Sequence, residues 1–350
     1  MAEWKGTNGT SEDPKSAFSD PPVRSRKNRI LGGPGTQHWR WVIMAVQSFS
    51  RIRVRPQHGT GMRIDLHTHS AASDGLLRPA ELVQAVRNAR LDVFSVTDHD
   101  TIDALAEVEI RARGLGLLLI PGVELSAFWR KRVELHILGY FVDPDNARLN
   151  SFLKDRRGAR RTRLQAMLGR LRALGIAIEA EEVLAQANEG NVGRPHLARV
   201  LVEHGIVSSS DEAFDRYLGE GKPAYVPHPD VSVADAIRVI HEAGGLASLA
   251  HPGLHNQGNA IPEMMAEGLD ALEVYHAKHT PGQVTRYRRL AERRGLLVTG
   301  GSDFHGAVGL DYGLTPGMPC LPEADFFRLE AAAEARRTPR ASSPVFPPLV

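Results

Sequence analysis

RIDLHTHSAASDG, residues 63–75, sets Ile64 and Leu66 in alternation with Arg63 and Asp65, the pattern of a short strand. His67 and His69 follow two residues apart, so on an extended chain their imidazoles point to the same side. Asp74 stands just beyond them. Neutral imidazoles with a nearby carboxylate suit a divalent transition metal.

Groups of the same chemistry recur along the chain, each tied to an apolar run. DVFSVTDHD ends in Asp98, His99 and Asp100; LLLIPGVELSA carries Glu124 and VELHILGYF carries His136. LASLAHPG ends in His251, and LLVTGGSDFHG in Asp303 and His305. Side chains at the C-terminal ends of different strands converge when those strands form a barrel. Helical patterns alternate with the apolar runs: PAELVQAVRNAR, with Pro79 at its start, then DTIDALAEVEIRARG. That alternation predicts parallel strands joined by crossover helices.

The combination DLHTHSxxSDG, TDHD, GVELS, GRPHLA, AHPG and SDFH resembles the PHP family, the polymerase and histidinol phosphatase domain, from Met62 to about Leu321. The GRPHLA element is similar to that of the branch holding nucleoside 3′,5′-bisphosphate phosphatases and 5′→3′ exoribonucleases. The resemblance implies an α/β fold, a distorted (β/α)7 TIM-like barrel with a helical insertion, and a trinuclear metal centre. It implies a first metal on His67, His69, Glu124 and Asp303, and a second sharing Glu124 with His136 and His251. Asp74, His99 and His305 would hold the third. The cations expected are three divalent ions, Mn2+ first, with Fe2+ or Zn2+ as alternatives. A metal-bridging hydroxide held by Glu124 is the expected nucleophile, because bound cations lower the pKa of water toward neutrality. Asp98 and Asp100 are expected to orient imidazoles or to cap a helix beginning at Thr101. Glu273 and His276, in ALEVYH, are left outside the metal sphere.

Between Val142 and Ala224 the pattern changes. From Lys154 to Arg172 there are eight basic residues and one acid, with a single apolar stripe of Leu164, Met167, Leu168 and Leu171. EEVLAQANEG, PHLARVLVEHGI and DEAFDRYLGEGKPAYVP continue this helical segment, residues 143–224, which is expected to cap the barrel mouth. A charged helix face is ordinarily solvated, but here it also gives the mouth a positive potential. Arg194 and His196 in NVGRPHLARV are the candidates for a second phosphate, since a guanidinium fork matches phosphate oxygens. Lys222, in the GKP turn, is a further substrate-binding candidate.

The ends carry the remaining expectations. Residues 1–62 hold ten Lys+Arg against four Asp+Glu, leaving 33 against 37 for the rest. Residues 1–61 therefore read as a disordered basic leader or an over-extended gene start, with Met62 the native initiator and the barrel running over 62–325. Residues 326–350 are expected to be a flexible tail. Cys320 is the only cysteine, so an internal disulfide and a Cys-based zinc site are both excluded. No apolar run reaches the length of a membrane span, and a cytoplasmic enzyme without an obligate protein partner is expected. The expected reaction is metal-dependent hydrolysis of the 3′-phosphate of a small nucleoside 3′,5′-bisphosphate, with 5′→3′ trimming of short RNA alongside. Histidinol phosphatase is the rival on the same fold. A non-catalytic or polymerase-associated module is disfavoured by the intact ligand set, and an amidohydrolase by the carboxylate-bridged pattern.

Overall fold

Seven short strands wind in chain order into one sheet that curls until its last strand meets its first. The computed structural model describes residues 61–130, 133–187, 190–227, 231–254, 260–306 and 315–337. Expectations about the basic leader, and about residues 338–350, fall outside these. The strands are β1 (Ile64–Asp65), β2 (Val93–Val96), β3 (Leu118–Trp129), β4 (Val133–Tyr140), β5 (Leu246–Leu249), β6 (Ala271–His276) and β7 (Leu297–Gly301). Closure comes from Leu66 N donating to Gly300 O at 3.2 Å and Asp303 N to His67 O at 2.8 Å. His69 N adds a bond to Phe304 O at 2.8 Å. The architecture is the distorted (β/α)7 TIM-like barrel that the sequence implies.

One strand runs against expectation. β1, β2 and β3 are mutually parallel, as are β5, β6 and β7, but β4 is antiparallel to both neighbours. Only residues 130–132 separate β3 from β4. A parallel crossover needs a dozen or more residues, so a hairpin is the only connection available. The reversal starts β4 at the mouth of the barrel, which is why His136 lies early in its strand rather than at the end.

Crossover helices cover the other connections: α1 (Pro79–Asn88) and α2 (Leu105–Gly114) before the hairpin. Pro79 does open α1, while α2 starts at Leu105 rather than Thr101. The chain between β4 and β5 is largely helical: α3 (Ala147–Ala173), α4 (Ala180–Gln186), α5 (Arg194–Glu203), α6 (Ser210–Ala213), a π-helical turn (Phe214–Leu218) and α7 (Val233–Glu242). Leu164, Met167, Leu168 and Leu171 of α3 join Val183, Leu197, Leu201 and Leu218 in an apolar cluster separate from the barrel core. Helices α8 (Ile261–Ala266), α9 (Pro281–Arg294) and α10 (Glu323–Arg337) complete the order.

Residues 326–337, expected in the flexible tail, instead belong to α10. Phe326, Leu329 and Ala333 are buried in the barrel core, and that apolar spacing holds the helix down. Among the described residues, no helix is long and apolar enough to cross a membrane.

The seam between β7 and β1 leaves no room for a side chain at Gly301. A Cβ there would sit 2.4 Å from His67 N and 2.7 Å from Asp65 Oδ1. Gly301→Ala should therefore cost about 1–3 kcal/mol or more through overpacking. Gly158→Ala is the control: on the exposed face of α3 an added methyl meets nothing within 4 Å. There the gain in helix propensity should stabilise by about 0.5–1 kcal/mol. Urea unfolding midpoints of the two variants should move in opposite directions.

Candidate metal centre

Glu124 stands on β3 with no exposure to water, and each of its oxygens faces a different group of imidazoles. Oε2 lies 3.2 Å from His67 Nε2, 3.1 Å from His69 Nε2 and 3.3 Å from His99 Nδ1. Oε1 lies 2.9 Å from His136 Nδ1 and 3.2 Å from His251 Nε2. Asp303 Oδ1 meets the first two again, at 3.3 Å from His67 Nε2 and 3.2 Å from His69 Nε2. Beside them Asp74 approaches His305 Nε2 at 3.3 Å and His99 Nε2 at 3.7 Å. All nine residues singled out as ligands thus come together, from six of the seven strands or the loops that follow them.

The spacing among these atoms is that of a coordination shell. Ligand atoms about 2.1 Å from a common centre at tetrahedral or octahedral angles are roughly 3.0–3.4 Å apart. Hydrogen bonding accounts for the set less well: neither ring nitrogen of His69 makes a hydrogen bond, nor do His99 Nδ1 and His136 Nδ1. The candidate ligand atoms of His67, His69, Glu124 and Asp303, and those of His69, Asp74, His99 and His305, lie within 4.8 Å of one another. The residues present therefore fit divalent cations.

Electrostatics shows how strongly these groups are coupled. Burial alone would raise the Glu124 carboxyl, but His99, His136 and His67 hold it well below the usual range. Burial disfavours charge on His69, yet the carboxylates of Asp303 and Glu124 push it up to about 10. For His99 burial prevails over Glu124 and Asp74, and its pKa falls to about 3.

Supporting side chains explain the orientation. Glu273 Oε1 lies 2.9 Å from His67 Nδ1, and its Oε2 accepts from His251 N at 2.7 Å. Accepting a hydrogen bond from Nδ1–H, Glu273 would fix the His67 tautomer and leave Nε2 to bind a cation. His276 Nε2 contacts Asp303 Oδ2 at 3.3 Å. Glu273 and His276, left outside the metal sphere on sequence grounds, thus contact His67 and Asp303 of the cluster. Asp65 accepts from His67 N at 3.1 Å, Ser302 N at 2.9 Å and Ser302 Oγ at 2.6 Å, clamping β1 to the end of β7. Asp303 and His251 have φ of 55° and 28°, left-handed values that turn strand-end side chains into the barrel at some cost in strain.

Asp98 and Asp100 neither bond an imidazole nor cap a helix. Asp98 accepts from Ser70 N, Ser70 Oγ and Ser73 Oγ at 2.6–2.7 Å, which orders the loop carrying Asp74. Asp100 Oδ2 pairs with Arg160 at 2.6 Å and with Arg156 at 3.6 Å. Of the eight basic residues from Lys154 to Arg172, Arg156, Arg160 and Arg163 are buried, and Arg160 and Arg163 line the cavity, while Lys154, Arg161, Arg170 and Arg172 are exposed as a solvated face would be.

Above the cluster opens a cavity of about 360 Å³. Its floor includes Glu124, His136 and Asp303, and its wall Arg160, Arg163, Arg194 and Arg199. Arg194 Nη2 lies 3.1 Å from Glu134 Oε2, with its guanidinium 5.6 Å from the rings of both Phe214 and Tyr225. His196 is not in the lining: it is buried, and its Nδ1 accepts from Gly193 N at 3.0 Å, closing the first turn of α5. Burial drives its pKa down to about 4. Lys222 is exposed and also outside the lining.

Comparison with known proteins gives the same picture. Residues 65–191 match the PHP domain. The 5′-3′ exoribonuclease Rnm of Escherichia coli is 40% identical over 250 residues, covering 69% of this chain and 84% of that protein. A 3′,5′-nucleoside bisphosphate phosphatase of Chromobacterium violaceum is 36% identical over 276 residues, covering 77% of this chain and 96% of the relative. A solved structure from Bifidobacterium adolescentis, assigned as a metal-dependent phosphoesterase, superposes with a TM-score of 0.70 at 31% identity, over 78% of this chain and 97% of that one.

Removing Asp303 should open the coordination shell, so Asp303→Ala should lose bound metal and activity together; full metal content with native turnover would refute its place there. Glu273→Ala removes only a supporting bond and should weaken metal affinity about 10- to 100-fold. Metal titration followed by calorimetry separates the two. Because His67 and His69 hold protons well above neutrality in the absence of cations, metal loading at pH 7 should acidify an unbuffered solution. Affinity should accordingly rise as pH increases.

Proposed function

The chain belongs to the PHP domain family and is a hydrolase of phosphoric esters, and from that premise we propose that it removes the 3′-phosphate of nucleoside 3′,5′-bisphosphates and trims short RNA from its 5′ end. The observation that carries this reading is the two-sided cavity, with a cation-holding floor and an arginine wall. A substrate with two phosphates satisfies both. We assign His67, His69, Asp74, His99, Glu124, His136, His251, Asp303 and His305 to three divalent cations, Mn2+ first and Fe2+ or Zn2+ as alternatives. Cations held there would supply positive charge to the phosphoryl oxygens and lower the pKa of a bound water.

The protein's own groups do the rest. Glu124 offers one oxygen to each side of the floor and would offset part of the positive charge of cations held there. Arg194 would fork onto the phosphate that is not cleaved. Glu134, kept ionised below its usual range against burial by Arg194 and Arg163, holds that guanidinium in place until a phosphate displaces it. Arg163, lowered to about 10 by burial despite Glu134, still carries its charge at neutral pH. The relatives' named activities, an exoribonuclease and a bisphosphate phosphatase, agree with a nucleotide on this wall. Histidinol phosphate, a cationic amine, would meet repulsion there. Residues 143–224 are inferred to be the specificity cap of the barrel, and a reducing cytoplasm suits a chain whose one cysteine is Cys320.

Phosphate release with added manganese, compared across adenosine 3′,5′-bisphosphate, histidinol phosphate and short 5′-phosphorylated RNA, tests the substrate class. Dominant release from histidinol phosphate would overturn it. Arg194→Ala should cost about 1.5–3 kcal/mol of bisphosphate binding, a KM increase of roughly ten- to a hundredfold. Judged as a ratio to p-nitrophenyl phosphate, that loss should be selective for the bisphosphate. Equal losses would place Arg194 at the reacting phosphate instead.

A further inference from the structure

Among the described residues that line the cavity, Phe214 is the one aromatic side chain apart from the histidines of the floor. It is half-buried, with Arg194 5.6 Å from its ring. The backbone at this point is unusual. Phe214 begins a π-helical turn, closed by Gly219 N donating to Phe214 O at 2.8 Å. A Cβ at Gly219 would lie 2.7 Å from Phe214 O, so only glycine allows the turn. Single π turns are rare and cluster at functional sites because they rotate one side chain out of helical register. Leu254, 41% exposed, adds an apolar side chain to the same lining.

We infer that Phe214 is the stacking platform for the nucleobase of the substrate, an inference that rests on the nucleotide reading above. A phosphate held by Arg194 puts the attached nucleoside beside this ring. Stacking uses the π face that all bases share, so the platform confers a preference for nucleotides over other phosphate esters without choosing among bases.

The test compares adenosine 3′,5′-bisphosphate with the same ribose bisphosphate lacking a base, on the wild type, Phe214→Ala and Phe214→Trp. For the wild type, loss of the base should raise KM about 5- to 150-fold, the range for one stacked base. In Phe214→Ala that ratio should collapse toward one, and Phe214→Trp should restore it. An unchanged ratio in Phe214→Ala overturns the platform and leaves the function standing, as does a wild type that treats both substrates alike. A wild type that hydrolyses neither removes the nucleotide reading and the platform together.

Discussion

A carboxylate without water needs compensating charge, and Glu124 needs it on both of its oxygens. Isolated burial of an ionised group costs several kcal/mol even after relaxation. Five imidazoles within 3.3 Å are the protein's answer, and they arrive from β4 and from the segments that follow β1, β2 and β5. The barrel must close for them to meet. Gly301 at the seam and Asp65 across it are thus part of the same construction as the imidazole cluster, although neither lines the cavity.

The clustered His, Asp and Glu residues were legible because metal chemistry uses few residue types and strand ends repeat them in order. Each of His67, His69, His99, Glu124, His136, His251, Asp303 and His305 sits in or after an apolar run, and only a barrel gathers so many. Supporting groups left weaker traces. Glu273 is a lone carboxylate inside an apolar strand, and nothing in its neighbours announces that it holds His67. The arginines of α3 were misleading for a related reason. Periodicity marks the apolar stripe, while a buried arginine spaced at i, i+4 and i+7 looks like any solvated face until its carboxylate partner is known.

GRPHLA shows the opposite failure. The element drew attention to Arg194 and His196 as a pair, yet side chains two apart on a helix diverge by about 200°. Arg194 reaches the cavity and His196 turns inward to close the helix start. The antiparallel β4 could have been anticipated, since three residues cannot carry a crossover. The docking of α10 could not be read from its composition alone: three buried apolar positions suffice to hold a helix that is otherwise polar.

Arg160 makes three attachments at once: to Asp100 beside His99, to Ser126 Oγ on β3, and to Val192 O in the helical segment. The helical segment and the cavity floor are therefore not independent modules. Loss of this guanidinium would leave the buried Asp100 carboxylate with the more distant Arg156, at 3.6 Å, as its remaining cation. A change at Arg160 would thus be felt on both sides of the cavity, at the helical segment through Val192 O and at the strand ends through Asp100 and Ser126.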